Sequence, residues 1–490
     1  MSAALQLRHP DRLYIGGEWI AAHSGRLLEI VSPDTEQVVA HVAEADAEDM
    51  DRAVAAARQA FDHGPWPWLS PSERIAAMER LVAALRRRHP DLAAAWSLQM
   101  GGLEAMGGYL TERGSQNFED AIRVGKDFPF ITKVDSPAAP ASYVVHEAVG
   151  VVAAIAPWNV PYMIMAAKVA PALLTGCTVV MKPSPETPIE AYIIAECAEE
   201  AGLPAGVINL APGHREAADH LVRNPGVDKV SFTGSTAAGK HIGQVCAARV
   251  ARCTLELGGK SAAVILDDMP ASEAASILSG AITMVSGQVC AMLTRAIVPK
   301  RRHDEIADAI VAAMRQVRVG HSNDPAAQMG PLAMARQLER VESYIQAGMS
   351  EGADLLTGGG RPSYLNRGYF FEPTLFGNVD NGMKIAREEI FGPVLSLIPC
   401  EDEEDAIRIA NDSDYGLNGS VLTHDADAAW RVARRIRTGN VGQNGMRTDF
   451  SLPFGGYKQS GIGREGGPQG LMHFIETKTI MLDGVPAAAD

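Results

Sequence analysis

The sequence predicts a mixed α/β fold built on a doubly wound parallel sheet, and three observations carry that prediction. Between residues 150 and 260, short β-branched runs alternate with helical stretches, the pattern of strand–helix–strand units. The strand-like runs are apolar throughout rather than at every second position, as strands covered on both faces are. The turns after them collect asparagine, lysine, glycine and glutamate, at the carboxyl ends of strands where such sheets receive ligands.

Taken in order, a polar first segment leads into helical patterns over 46–125, for example at 51–61 and 72–81. Strands are predicted at 151–157, 178–183, 207–212, 229–234 and 254–258. Helices at 161–175, 188–201, 215–223 and 235–250 separate them. A second α/β region runs from about 261 to 459, with strands at 262–267, 295–299 and 394–399. The segment 127–150 and the tail from about 470 read as β arms outside both cores. There is no internal repeat and no low-complexity linker.

The 490 residues correspond to about three domains at roughly 150 residues each. Hydrophobic residues at 47% and charged residues at 21% exclude a mostly disordered chain. With 44 basic against 59 acidic side chains, the net charge of −15 argues against a nucleic-acid partner. The six cysteines lie far apart with no CxxC spacing. That is neither a disulfide framework nor a zinc site, and it fits a reducing cytoplasm. The opening residues hold no secretory apolar region. Residues 161–181 are apolar except for Lys168, but prolines, Thr175-Gly176 and a β-rich ending divide them into a buried helix and strand. No membrane contact is expected.

Several residues stand out, each with a plain alternative. Gly234-Ser-Thr-Ala-Ala-Gly239 follows a strand and opens a helix, so it is either a phosphate site or a tight turn; it is not GxGxxG. Cys290 is a lone cysteine, most often a small buried hydrophobe, yet Gly287 and a nearby helix start would favour a thiolate. Cys177, Cys197, Cys246 and Cys253 sit in apolar texture and are assigned to the core, while Cys400 carries no chemical signal. Glu256 ends an apolar strand, as either an ion-pair partner of Lys260 or Lys168, or a base of raised pKa. Asn159 could hold an oxyanion or cap the next helix. Lys182 and Glu389 are separately no more than turn residues. Together, a cysteine, an oxyanion amide, a base and a phosphate-binding turn describe an acyl-enzyme site beside a dinucleotide.

Eight motifs in order resemble the aldehyde dehydrogenase superfamily over nearly the whole chain. They are Pro157-Trp-Asn159, Lys182-Pro-Ser, Phe232-Thr-Gly-Ser235, Glu256-Leu-Gly-Gly-Lys260, Gly287-Gln-Val-Cys290, Glu388-Glu-Ile-Phe-Gly-Pro393, Pro453-Phe-Gly-Gly-Tyr-Lys458-Gln-Ser-Gly and Gly463-Arg-Glu465. The 34-residue step from Glu256 to Cys290 also matches. The resemblance implies a Rossmann-type cofactor domain (1–126 and 149–258), an α/β catalytic domain (259–459) and a β arm for oligomerisation (127–148 and 470–490). It implies oxidation of an aldehyde to the carboxylic acid with NAD(P), through a Cys290 thioester. Asn159 and the Cys290 N–H would form the oxyanion hole, Glu256 would activate water, and Lys168 and Glu465 would relay protons. The cofactor would meet Trp158, Lys182, Ser184, Gly213, Gly234, Ser235, Gly258, Glu389 and Phe391. Relatives that pass the acyl group to coenzyme A usually lack the glutamate, so Glu256 points to the free acid. The partners implied are a small aldehyde and further copies of the chain, as homodimer or homotetramer.

Three departures matter. Pro185 stands where NAD-preferring members place a ribose-binding glutamate, with Glu186 displaced by one; NAD is expected, with NADP possible. Gly439-Asn-Val-Gly-Gln-Asn444 replaces a tryptophan-containing turn, and the loop to Pro453 is shortened. Val289 and Ala291 flank the nucleophile. The positions expected to face the aldehyde are mostly apolar: Val160, Met163, Ala167, Val289, Ala291, Phe450, Leu452 and Phe454. They point to a hydrophobic aldehyde, whether aromatic, terpenoid or medium-chain. Ala167, where a bulky aromatic would help cage a quaternary ammonium, argues against betaine aldehyde. An inward Arg447 would instead make the substrate a semialdehyde acid. The remaining alternatives are a thiol hydrolase and a non-catalytic binding member of the fold. No metal site is expected.

Overall fold

The computed structural model describes residues 7–486. Its centre is an eight-stranded sheet whose five middle strands are parallel: Arg252–Glu256, Lys229–Thr233, Val151–Ile155, Thr178–Lys182 and Ile208–Leu210. The chain starts at Val151–Ile155, steps outward twice, then returns to the other side at Lys229–Thr233. The order therefore reverses between those two strands, which opens a crevice at their carboxyl ends. Pro157-Trp-Asn159 and Gly234-Ser235 lie there.

The predicted strands and helices of this region all form, within about two residues of their ends. Helix Pro161–Thr175 is buried on nearly every face, which is why its sequence is apolar without a polar stripe. Proline at its first turn and Gly176 at φ +96° after its last delimit it. The polar first segment differs from expectation. Arg12–Ile15 and Glu18–Ala21 form a hairpin across Gly16-Gly17, both at positive φ, and extend the sheet beyond Ile208–Leu210. That glycine pair is a hairpin signal in its own right.

A seven-stranded sheet runs in the order Asp354–Thr357, Thr374–Gly377, Val394–Cys400, Leu293–Pro299, Ser261–Ile265, Asn418–Leu422, Asn440–Gln443. All but the first are parallel. Only three of its strands were legible as such in the sequence. A third, antiparallel sheet joins Ile475–Leu482, Ala141–Ala148 and Ile131–Val134, where β arms were expected. Residues 487–490 of the expected arm, and 1–6 of the first segment, lie outside the described residues. No helix among the described residues is long and apolar enough to cross a membrane.

Helix packing beneath the site depends on glycine. On helix Glu104–Asp127, a Cβ at Gly114 would sit 2.3 Å from the Tyr162 ring, whereas one at Gly108 would meet nothing. Both would gain about 1 kcal/mol of helix propensity as alanine, but overpacking costs roughly 1–3 kcal/mol. Gly108→Ala should thus raise the melting temperature and Gly114→Ala lower it; shifts of the same sign would contradict the packing.

Candidate active site

The crevice widens into a cavity of about 460 Å³ between the two large sheets. The chain's own local structure aims its chemistry inward. Cys290 follows a loop with three successive left-handed residues, Val285, Ser286 and Gly287 (φ +51°, +54° and +72°). A Cβ on Gly287 would lie 2.2 Å from the Gly392 carbonyl, so only glycine lets the two loops meet. Strain of this kind persists where surrounding contacts over-determine it. Here the Ser286 hydroxyl donates to the Gly330 carbonyl at 2.8 Å, and the Gln288 carboxamide accepts from Ala333 N–H at 3.0 Å. No helix begins at Cys290, contrary to the sequence expectation; the next element is strand Leu293–Pro299. Burial pushes its thiol up to about 12, with Glu389 and Glu256 adding to the shift. The resting group is a thiol, not a thiolate.

Asn159 precedes helix Pro161–Thr175. Its Nδ2 donates to the Gln288 carbonyl at 2.8 Å, and the Trp96 indole donates to its backbone carbonyl at 2.9 Å. One amide hydrogen is thereby fixed and the second remains for a ligand. Glu256 ends strand Arg252–Glu256, is 2% exposed, and neither carboxylate oxygen has a partner. Burial raises its pKa well above the ordinary value, and the neighbouring Glu465 raises it further. Lys168 donates to Glu465 at 2.5 Å and to the Thr233 hydroxyl at 2.7 Å, with both charges buried. Lys168 is therefore behind the cavity wall rather than in it, and pairs with Glu465 instead of Glu256.

On one side, Trp158 and Phe391 meet edge to face at 5.2 Å. Ser235 caps helix Thr236–Ala248, accepting from Ala238 N–H at 3.3 Å. The open N–H groups of its first turn suit an anion. Glu389 accepts from Gly259 N–H at 3.1 Å, and a Cβ on Gly258 would come within 2.6 Å of its carboxylate. Burial raises Glu389 to about 7. On the other side Val160, Met163, Val289, Ala291, Phe450 and Phe454 give an apolar wall, with the two phenylalanine rings 4.7 Å apart.

Other predicted positions fall elsewhere. Lys182 is buried outside this cavity; its amine makes no hydrogen bond or ion pair with the described residues, and burial lowers it to about 8. Ser184 donates to Glu186, which pairs with Arg336 at 2.6 Å. Gly213 packs against the Ala45 carbonyl. Ala167 lines a separate small cavity with Asn117, Asp120 and Phe450. Leu452 is 60% exposed and does not face the cavity. Arg447 is exposed and turns back to donate to the Gln443 carbonyl at 2.9 Å. Among the described residues, no group of His, Cys, Asp and Glu could hold a metal.

Helix Ala335–Ser350 was missed from the sequence, yet it contributes Arg336, Gln337 and Arg340 to the lining. Gln337 donates to the Ile390 and Phe391 carbonyls at 3.1 and 2.6 Å, and Arg340 to the Ile390 carbonyl at 3.1 Å. The helix thus clamps the loop that carries Glu389 and Phe391. No local pattern marks those residues; only the tertiary contact does.

Known proteins place this geometry. Residues 19–480 match the Aldehyde dehydrogenase family. Geranial dehydrogenase of Castellaniella defragrans is 44% identical over 97% of this chain and 99% of its own length. The 3-succinoylsemialdehyde-pyridine dehydrogenase of a Pseudomonas species is 41% identical, with the same coverage. The crystal structure of a mutant aldehyde dehydrogenase C from Pseudomonas syringae, complexed with NAD+ and octanal, superposes with TM-score 0.94 at 39% identity, covering 98% of both chains. The chain belongs to the aldehyde dehydrogenase family and is an NAD(P)-dependent oxidoreductase.

With the Cys290 thiol pushed up to about 12, its alkylation by iodoacetamide in the ligand-free protein should climb about tenfold per pH unit from pH 7 to 10. A plateau below pH 8 would show a resting thiolate.

Proposed function

We propose that this protein oxidises a hydrophobic aldehyde to its carboxylic acid with NAD, through a Cys290 thioester that water hydrolyses. The observation that carries the reading is Cys290 between an oxyanion amide and an unpartnered buried carboxylate, in one cavity with an apolar wall. The Cys290 sulfur adds to the aldehyde carbon, and the developing oxyanion takes the second Nδ2 hydrogen of Asn159 and the Cys290 N–H. Bound NAD would supply the acceptor for the hydride that leaves that carbon. Glu256 then removes a proton from the water that attacks the thioester, which is what a carboxylate of raised pKa suits. Glu465 and Lys168 lie behind it to carry the proton away.

The residues fit a dinucleotide: an unpartnered Lys182 amine, an open helix terminus at Ser235, and Glu389 at the cavity. Pro185 offers no hydrogen bond to a ribose hydroxyl, and Arg336 neutralises Glu186. Burial pushes the Glu186 carboxyl up, but Arg336 and Ser184 outweigh it and hold it below its ordinary range. Neither group repels a 2′-phosphate strongly, so NADP is tolerated. Relatives named for geranial and complexed with octanal support an apolar aldehyde. Arg447 faces away from the cavity, which weighs against the semialdehyde-acid reading. The antiparallel arm leaves Ile131 and Met481 exposed, consistent with a homodimer or homotetramer; the chain is read as cytoplasmic.

Reduced nicotinamide should form from octanal or an aromatic aldehyde without coenzyme A. Cys290→Ser should abolish it. Glu256→Gln should slow turnover at least 100-fold and accumulate one acyl group per site; rapid turnover in that variant would remove Glu256 as base. Because the base must be ionised, wild-type hydrolysis should rise with pH through a pKa above the usual carboxylate range. Arg447→Ala should alter kcat/KM for neutral and acidic aldehydes by the same small factor. Selective loss on acids would restore the semialdehyde reading. Arg336→Gln should lower the NADP-to-NAD ratio of kcat/KM about tenfold, roughly 1.4 kcal/mol.

A further inference from the structure

At the far end of the cofactor-side crossover, two cysteines that neither the fold nor the chemistry requires face one another. Helix Thr236–Ala248 runs back along strand Arg252–Glu256, and contacts between them step regularly. A Cβ on Gly239 would strike Leu257, 2.3 Å from its Cδ2. One turn on, a Cβ at Gly243 would touch the Leu255 side chain at 3.5 Å. The next step of helix and strand brings Cys246 opposite Cys253. Both belong to the same hydrophobic cluster, where Cys246 is 1% exposed and Cys253 is partly exposed. A turn with Val250 at φ +59° folds the chain back, and Ala251 N–H donates to the Cys246 carbonyl at 2.9 Å.

The pair is chemically asymmetric. The two neighbouring thiols oppose one another's ionisation unequally, and the buried Lys229 amine favours a lowered Cys253. The same contact and burial push Cys246 up. Cys253, partly exposed, is the sulfur a peroxide can reach, and Cys246, buried beside it, is the one that can resolve it. Cys290 instead lies with two carboxylates, Glu389 and Glu256, that oppose its ionisation.

We propose that Cys246 and Cys253 form a peroxide-reactive dithiol that closes to an intramolecular disulfide while Cys290 remains a thiol. The Cys253 sulfur attacks one peroxide oxygen and the O–O bond breaks. Hydroxide leaves as water with the dithiol's proton, and Cys253 becomes a sulfenic acid. The Cys246 sulfur then displaces that oxygen as a second water, and the S–S bond forms. Two thiols lose two electrons and two protons, and one peroxide becomes two waters. The bond would tie the last turn of the helix that Ser235 caps to the strand that Glu256 ends. The inference does not depend on which aldehyde is oxidised.

Trypsin separates the two sulfurs, since Cys246 lies in the peptide 241–249 and Cys253 in 253–260. Full-length protein is treated with one equivalent of hydrogen peroxide, quenched with catalase, alkylated in denaturant and digested without reduction. The two peptides should be recovered joined, and dithiothreitol should part them. The peptide bearing Cys290 should be recovered alkylated, with dehydrogenase rates within twofold of untreated enzyme. In Cys246→Ser, Cys253 should progress to sulfinic acid, and in Cys253→Ser no crosslink should form. Recovery of both peptides alkylated, while Cys290 is oxidised, overturns the proposal. So does pairing of either sulfur with a different cysteine. The wild-type mapping decides the matter even if a serine variant fails to fold.

Discussion

The buried ion pair between Lys168 and Glu465 is the constraint on which the rest of the site depends. Taking two charges out of water costs several kcal/mol each unless geometry and further hydrogen bonds compensate. The 2.5 Å contact and the Thr233 hydroxyl supply that compensation for Lys168. The pair ties helix Pro161–Thr175 and strand Lys229–Thr233 to the C-terminal loop. That loop is fixed in turn by reciprocal backbone hydrogen bonds between Glu465 and Phe454, at 2.7 and 2.8 Å. One polar contact therefore sets the positions of Asn159's helix, the floor of the crevice and the aromatic wall. Because Lys168 is matched to Glu465, little positive charge is left for Glu256. Its carboxyl stays buried, unpaired and weakly acidic, a state a structural ion pair would not produce.

The nucleophile loop is held from the opposite side. Three successive left-handed residues before Cys290 are unfavourable for Val285 and Ser286. They persist because the Gly287–Gly392 approach and the Ser286–Gly330 and Gln288–Ala333 hydrogen bonds hold the loop. Helix Ala335–Ser350 grips the carbonyls of Ile390 and Phe391, which fixes the loop carrying Glu389 and the ring beside Trp158. Lys260, buried with an unpartnered Nζ and lowered to about 7 by burial, sits beneath this junction. It is not the ion-pair partner of Glu256 that its spacing allowed.

What the sequence made legible follows from this arrangement. Buried parallel strands and the wholly buried helix Pro161–Thr175 write continuous apolar runs, and their turns must carry the polar residues that line a crevice. Those were readable in order from Val151 to Gly258. Edge strands such as Asn440–Gln443 have mixed faces and left no such trace. Arg336 and Gln337 were unreadable for a different reason: they matter only because their helix packs on a loop about 50 residues away. The direction of Arg447 was left open, since nothing local shows that a guanidinium will turn back to its own loop. The Cys246–Cys253 pair was hidden likewise, because helix-against-strand register is a tertiary fact while each cysteine alone looks like core.

The electrostatics of the cavity also order its chemistry. In the ligand-free protein, burial, with Glu389 and Glu256 adding to it, holds Cys290 in the thiol form, a poor nucleophile toward an aldehyde. Bound NAD, which Trp158, Phe391 and Glu389 would help to hold, would supply a positive charge that eases ionisation of the sulfur. On the proposed route the Cys290 sulfur is then held in the thioester, so the remaining nucleophile is the water that Glu256 would activate. The burial that holds Cys290 as a thiol therefore also raises the Glu256 carboxyl that the proposed hydrolysis uses as its base.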